Sequence, residues 1–137
     1  MTTTVIPRLS TRARLARLLE WLTTHSVAAD YCEVAGAEET EVGLSARGVA
    51  ALGALAEAAA ALHDPTVIAI RHRSALRLTV LGSIGPQGMP LAVTVPVDGQ
   101  ARDALLARLP TAATSVQTVD VATLRDAAAA VESAVAV

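Results

Sequence analysis

The 137-residue chain contains no Lys, no Asn and no Phe, and it carries a single Cys, a single Trp and a single Tyr. All 11 basic residues are therefore Arg, a profile that a G- and C-rich coding sequence produces, so the missing Lys is read as codon bias before any functional choice. One cysteine excludes an intramolecular disulfide framework and any Cys-rich zinc site. No stretch approaches the roughly 18 uninterrupted apolar residues of a membrane helix, because the Ala-rich run from Ala50 to Leu62 is broken by Gly53 and Glu57. The first nine residues lack an apolar core long enough for a secretory signal. A net charge of −2 and a pI near 5.9 provide no global attraction to nucleic acid or to an anionic membrane. The setting these absences imply is the cytoplasm of a bacterium.

What is present is an excess of small aliphatic side chains: 30 Ala, 17 Leu and 16 Val in a chain that is 53% hydrophobic and 18% charged. That is the composition of a folded domain rather than a disordered tail, and the length suits one domain. Residues 1–9, with Pro7, read as an extended arm, and residues 10–137 as a single α+β domain. Ser10 caps a first helix to about Thr24, with Leu15, Leu18, Leu19 and Leu22 as its apolar stripe. Tyr31 to Ala35 and Glu41 to Leu44 read as short strands around an acidic turn at Glu38, Glu39 and Thr40. Ser45 is expected to cap a second helix ending near His63, ahead of Asp64-Pro65.

From Thr66 the period changes to two. Val67 to Arg73, Leu76 to Leu81 and Leu91 to Val97 read as consecutive strands, with a tight turn near Ser74-Ala75 and a Gly/Pro loop from Gly82 to Pro90. Asp98 caps a short helix, Ser115 to Val119 is a further strand, and Asp120 caps a last helix carrying Leu124, Ala128, Val131 and Val135. The expected fold is α+β, a mainly antiparallel sheet with helices packed on one face in a two-layer sandwich.

Pairing Arg73 with Arg77 places Ile68, Ile70, Leu76, Leu78 and Val80 on one buried face. Arg71, Arg73, Arg77 and Thr79 then share the other face with Ala92 and Thr94, and Arg73 and Arg77 stand roughly 5 Å apart. Guanidinium groups suit phosphate or carboxylate bidentately, so the trio is a candidate anion or partner anchor. A solvated face, balanced by nearby Glu or covered by the last helix, accounts for the same pattern. A second cluster, Arg8, Arg12, Arg14 and Arg17, opposes the macrodipole at the start of the first helix. Arg14, Arg17 and Trp21 lie along one flank of it and would suit a nucleic-acid backbone or an acidic protein. Against this, a lone Trp in a Phe-free chain is core material by default.

Signatures of catalysis are poor. His25, His63, His72 and Cys32 show no metal-ligand spacing, so no metal and no cofactor is expected. His72, alternating with Ile68 and Ile70, reads as a core or rim histidine. Cys32 with His63 or His72 is the one conceivable thiolate pair. Without Lys the Gly82 to Gly88 loop cannot be a P-loop. Glu38, Glu39 and Glu41 read as an exposed acidic turn. The C-terminal segment from Val131 to Val137 needs a surface, either its own sheet or a second copy in a homodimer.

The chain resembles small proteins of actinobacterial phages and integrative elements. The resemblance lies in Leu19-Glu20-Trp21-Leu22-Thr23-Thr24-His25, the following Tyr31, the Ala-rich second helix, and the Gly82 to Val97 hairpin ending Val95-Pro96-Val97. It covers about two thirds of the chain. Such proteins have no assigned reaction, so it implies a small accessory or regulatory factor and carries over no functional residue. The expected function is non-enzymatic binding of a macromolecule, a protein first, as a homodimer. Arg71, Arg73 and Arg77 are the expected anchor, and Arg12, Arg14 and Arg17 a second surface. A nucleic-acid binder using the same arginines is the alternative, and a thiol-dependent enzyme the third.

Overall fold

A computed structural model describes residues 10–35, 39–73, 75–85, 88–110 and 115–135, without the side chains of His72 and Val135. The N-terminal arm, Arg8, Glu38 and the last two residues lie outside that set. Among the described residues, four helices and six strands follow in the order α1 (Thr11–Thr24), β1 (Ala29–Ala35), β2 (Glu39–Leu44), α2 (Ala50–Ala60), β3 (His63–His72), β4 (Ala75–Ile84), β5 (Met89–Val97), α3 (Gly99–Leu106), β6 (Val116–Val119) and α4 (Val121–Val135). The strands form one sheet in the order β1-β2-β5-β4-β3-β6. Every neighbouring pair is antiparallel except β2 and β5. The fold is α+β, with the helices packed against the sheet.

The core forms where alternate strand residues meet the helix layer. Leu76, Leu78 and Val80 of β4 and Leu91, Val93, Val95 and Val97 of β5 are buried together. The Ala-rich α2 runs over β2, β3, β4 and β5, and α4 packs beside it and against α3. Ala51, Ala58 and Ala59 let α2 sit close to the sheet, while Leu52 and Leu55 fill the space between layers with no exposed surface.

α1 begins as its sequence dictates, the Ser10 hydroxyl accepting from the Ala13 amide at 3.1 Å. Of the expected leucine stripe, Leu18 is buried and Leu22 packs against the core, but Leu15 and Leu19 are 42% and 51% exposed, and Arg14 and Trp21 complete the buried side instead. α2 begins at Ala50, not after Ser45. Gly48 takes a left-handed turn (φ 62°), and the Arg47 guanidinium holds the preceding loop, donating to the Leu44 carbonyl at 2.6 Å and to Asp30 Oδ2 at 2.6 Å. Asp98 does stand at the start of α3, but its side chain makes no capping hydrogen bond.

The β3–β4 register also differs from expectation. His72 pairs with Ala75, Arg71 with Leu76 and Ile70 with Arg77. Arg73, directly after the His72–Ala75 pair, lies in the left-handed region (φ 57°). Relative to the expected pairing this register slides β3 by an odd number of residues, and so exchanges its two faces. Val67 and Ala69 point to the helices, whereas Ile68 and Ile70 lie on the opposite face.

Candidate interaction surface

The face turned away from the helices is not covered by any described element. Its rows follow from the registers. Ile70, Arg77 and Pro96 form one row. Ile68, Thr79, Thr94, Gly43 and Tyr31 form the next. Leu81, Ala92, Glu41 and Glu33 form a third, and Ser83 and Pro90 begin a fourth, towards which Glu39 and Ala35 extend.

A solvated sheet face ordinarily alternates polar residues outward. This one exposes Ile70 (38%), Leu81 (43%) and Val116 (52%) along with Pro90 and Pro96. Val116 pairs directly with Ile70, so β3 and β6 share an apolar strip. At the other side, Ala35, Leu81, Pro90 and Ala92 line a cleft of about 400 Å³ with Glu33, Glu39 and Glu41. The acidic segment expected as an exposed turn is therefore largely strand, its carboxylates ranged along one side of an apolar floor.

Tyr31 projects from the edge strand β1 over its neighbour β2. It stands opposite Gly43, and a Cβ at position 43 would overlap its ring, so the missing side chain is what lets the ring lie flat across β2. The phenol donates to Glu41 Oε2 at 3.2 Å. Partial burial, and then the negative Glu41, hold the Tyr31 hydroxyl above its ordinary value of 10.0, while the charge of Arg77 pulls the other way. Beside Gly43 in register, Thr94 is 3% exposed; its hydroxyl donates to the Leu78 carbonyl at 3.2 Å and accepts from Thr79 at 3.3 Å.

The expected arginine trio is dispersed. Arg77 lies on the open face with Thr79, Ala92 and Thr94, as the pattern of β4 and β5 implies. Arg73 sits exposed in the turn beyond that row. Arg71 falls on the helix side, opposite Leu76, where its Nη2 donates to Gln117 Oε1 at 3.4 Å and its Nε is buried without a partner. The second cluster separates likewise. Arg14 is 5% exposed within the α1 contact, whereas Arg12 and Arg17 are exposed. Trp21 is core, 4% exposed, its Nε1 donating to the Ala61 carbonyl at 3.3 Å. The Trp21 ring therefore offers no stacking platform.

Cys32 lies on the edge strand β1 opposite Val42, and burial raises its thiol above 9.0, which disfavours the thiolate that nucleophilic chemistry needs. No group of three or more His, Cys, Asp or Glu that could hold a metal occurs among the described residues. No described helix is long and apolar enough to cross a membrane. Compared with family models, with curated proteins and with solved structures, the chain matches none.

Three features of this surface escape sequence reasoning: the Tyr31–Gly43 pair, the acidic cleft and the clamp made by Arg47. The alternation of Glu39, Glu41 and Gly43 was a usable signal for the first two. It becomes informative only once the parallel pairing of β2 with β5 is known, because that pairing sets Glu41 beside Ala92.

Proposed function

We propose that the chain is a non-enzymatic protein-binding module, an accessory or regulatory factor whose working surface is the open face of its sheet. The observation that supports this most is the run of aliphatic side chains on a face with no described covering element: Ile68, Ile70, Leu81 and Val116 occupy positions that a solvated strand fills with polar residues. Arg77 and Arg73 remain candidate contacts at one end of that face, and Glu33, Glu39 and Glu41 join them at the other. Arg12 and Arg17 form a separate, screened edge of α1. A protein partner is favoured over nucleic acid because a phosphate track needs arginines in a row, and Arg71, Arg73 and Arg77 point to three different surroundings.

The test is site-specific photo-crosslinking in producing cells, with the reactive side chain placed at Leu81 on the open face or at Leu15 on the outer surface of α1. The expected result is a discrete protein adduct from position 81 and none from position 15. An adduct from 15 alone, or a nucleic-acid adduct from 81, overturns the assignment.

A further inference from the structure

Resting on the reading of the open face as a protein-binding surface, we infer that its occupant is a second copy of this chain, with the two sheets stacked face to face at a steep crossing angle. The inference comes from where the charges stand. Glu33 and Glu41 lie in the third row of the face and Glu39 beyond it, all on β1 and β2. Arg77 lies in the first row on β4, with Arg73 past its end in the β3–β4 turn. The acidic and basic groups thus stand diagonally across the face, with Ala92, Thr94 and Thr79 between them and the aliphatic Leu81 and Ile68 alongside on β4 and β3.

A two-fold axis lying in the interface, perpendicular to that diagonal, carries each acidic corner onto the basic corner of the other copy. The same operation brings Leu81, which stands beside the diagonal near its midpoint, against its counterpart in the other copy, which is the self-complementarity an isologous dimer requires. The direction of the diagonal fixes the crossing angle. The corners are separated by two or three strands, about 10 to 14 Å at the usual spacing, and by two to three rows, about 14 to 20 Å along the strands. A diagonal about 35° from the strands makes the stacked strands cross at about 70°, nearer the orthogonal than the aligned packing of sheets. Six strands some seven residues long present a footprint of roughly 29 by 23 Å. Steeply crossed sheets overlap over about 23 by 23 Å of it, and side-chain corrugation brings the accessible area hidden towards the ~800 Å² per partner of an ordinary specific interface.

The arrangement also gives the exposed aliphatics a reason. Ile70 and Val116 sit beside the basic corner, and Leu81 and Ala92 floor the acidic cleft. Face-to-face stacking removes all four from water, and Arg73 or Arg77 of the second copy enters the cleft lined by the three carboxylates.

A charge exchange followed by sedimentation equilibrium tests this. The unaltered chain is expected to reach twice its 14.0 kDa as its concentration rises through the micromolar range, and to dissociate as salt is added. The double variants Glu39→Arg/Glu41→Arg and Arg73→Glu/Arg77→Glu should each associate at least about tenfold more weakly, and an equimolar mixture of the two should recover a dimer. Recovery in the mixture itself shows that both variants fold. Should either fail to fold by circular dichroism, Glu39→Gln and Arg77→Gln singly are expected to weaken the dimer and to flatten its salt dependence. A chain monomeric throughout, a dimer indifferent to either substitution pair, or a mixture that stays monomeric overturns the inference. A monomer that still crosslinks to a different protein from position 81 leaves the binding surface standing and refutes only the second copy.

Discussion

On one side of the sheet, Leu78, Val80, Val93 and Val95 have no exposed surface, while one residue along the same strands Arg77, Leu81 and Pro96 meet solvent. The two faces are made by the same backbone and differ only in what the chain lays over them. The helix side is a conventional core, filled by Leu and Val beneath an Ala-rich helix. The open side keeps aliphatic groups as well, but sets them among carboxylates at one corner and guanidiniums at the other. A surface built only to be wetted needs neither the aliphatics nor the sorting of charge, and the proposed binding role rests on that contrast.

Substitutions on the helix side should cost stability, those on the open side association. Trp21→Ala, which empties a core site and removes the bond to the Ala61 carbonyl, is expected to lose about 3–5 kcal/mol in denaturant unfolding. Gly82→Ala probes the close contact between β4 and the end of α2. A Cβ there would lie 2.9 Å from Leu62 Cβ and 3.2 Å from the His63 carbonyl oxygen, and a loss of about 1–3 kcal/mol is expected by the same assay. Ser10→Ala removes the α1 cap and should cost about 1 kcal/mol.

Tyr31 gives the open face a pH signature. Its hydroxyl is held above 10.0, so the neutral phenol is the form that folding favours. The associated stability is complete below the ordinary tyrosine range and is lost as pH rises through the raised folded value. Phenolate absorbance should therefore appear later in the folded protein than after unfolding, and Glu41→Gln should bring the two titrations closer. The smallest effect on folding belongs to Leu81→Ser, within about 0.5 kcal/mol because the side chain is already 43% exposed. A larger loss would show that this residue belongs to the core and blur the distinction between the faces.

Much of the fold was legible because hydrophobic period and turn chemistry agree along most of the chain. The Ser10 cap, the six strands, the last helix with Leu124, Ala128 and Val131 inward, and the one-sided packing all follow from them. The β3–β4 register did not. Its pattern admits more than one pairing, and the one that separates charged from apolar residues most cleanly sets Ile68 and Ile70 inward, opposite to the face they occupy. In the fold Ala69 is the inward residue beneath the helix layer, with Val67 beside it, and the His72–Ala75 pair, followed by a left-handed Arg73, fixes the slide. The arginine face depended on that register and dispersed with it. The acidic cleft was invisible for a different reason, since it joins residues from β1, β2, β4 and β5 through a parallel pairing that no local signal announces.

The most direct measurement of the central claim is methyl NMR with a soluble paramagnetic probe, followed as protein concentration rises. The methyl groups of Ile70, Leu81 and Val116 should be bleached strongly in dilute solution and become protected as copies associate, while those of Leu15 and Leu19, exposed on α1, stay bleached throughout. If all five remain equally accessible at every concentration, the open face does not take up a second copy and the self-association account is contradicted.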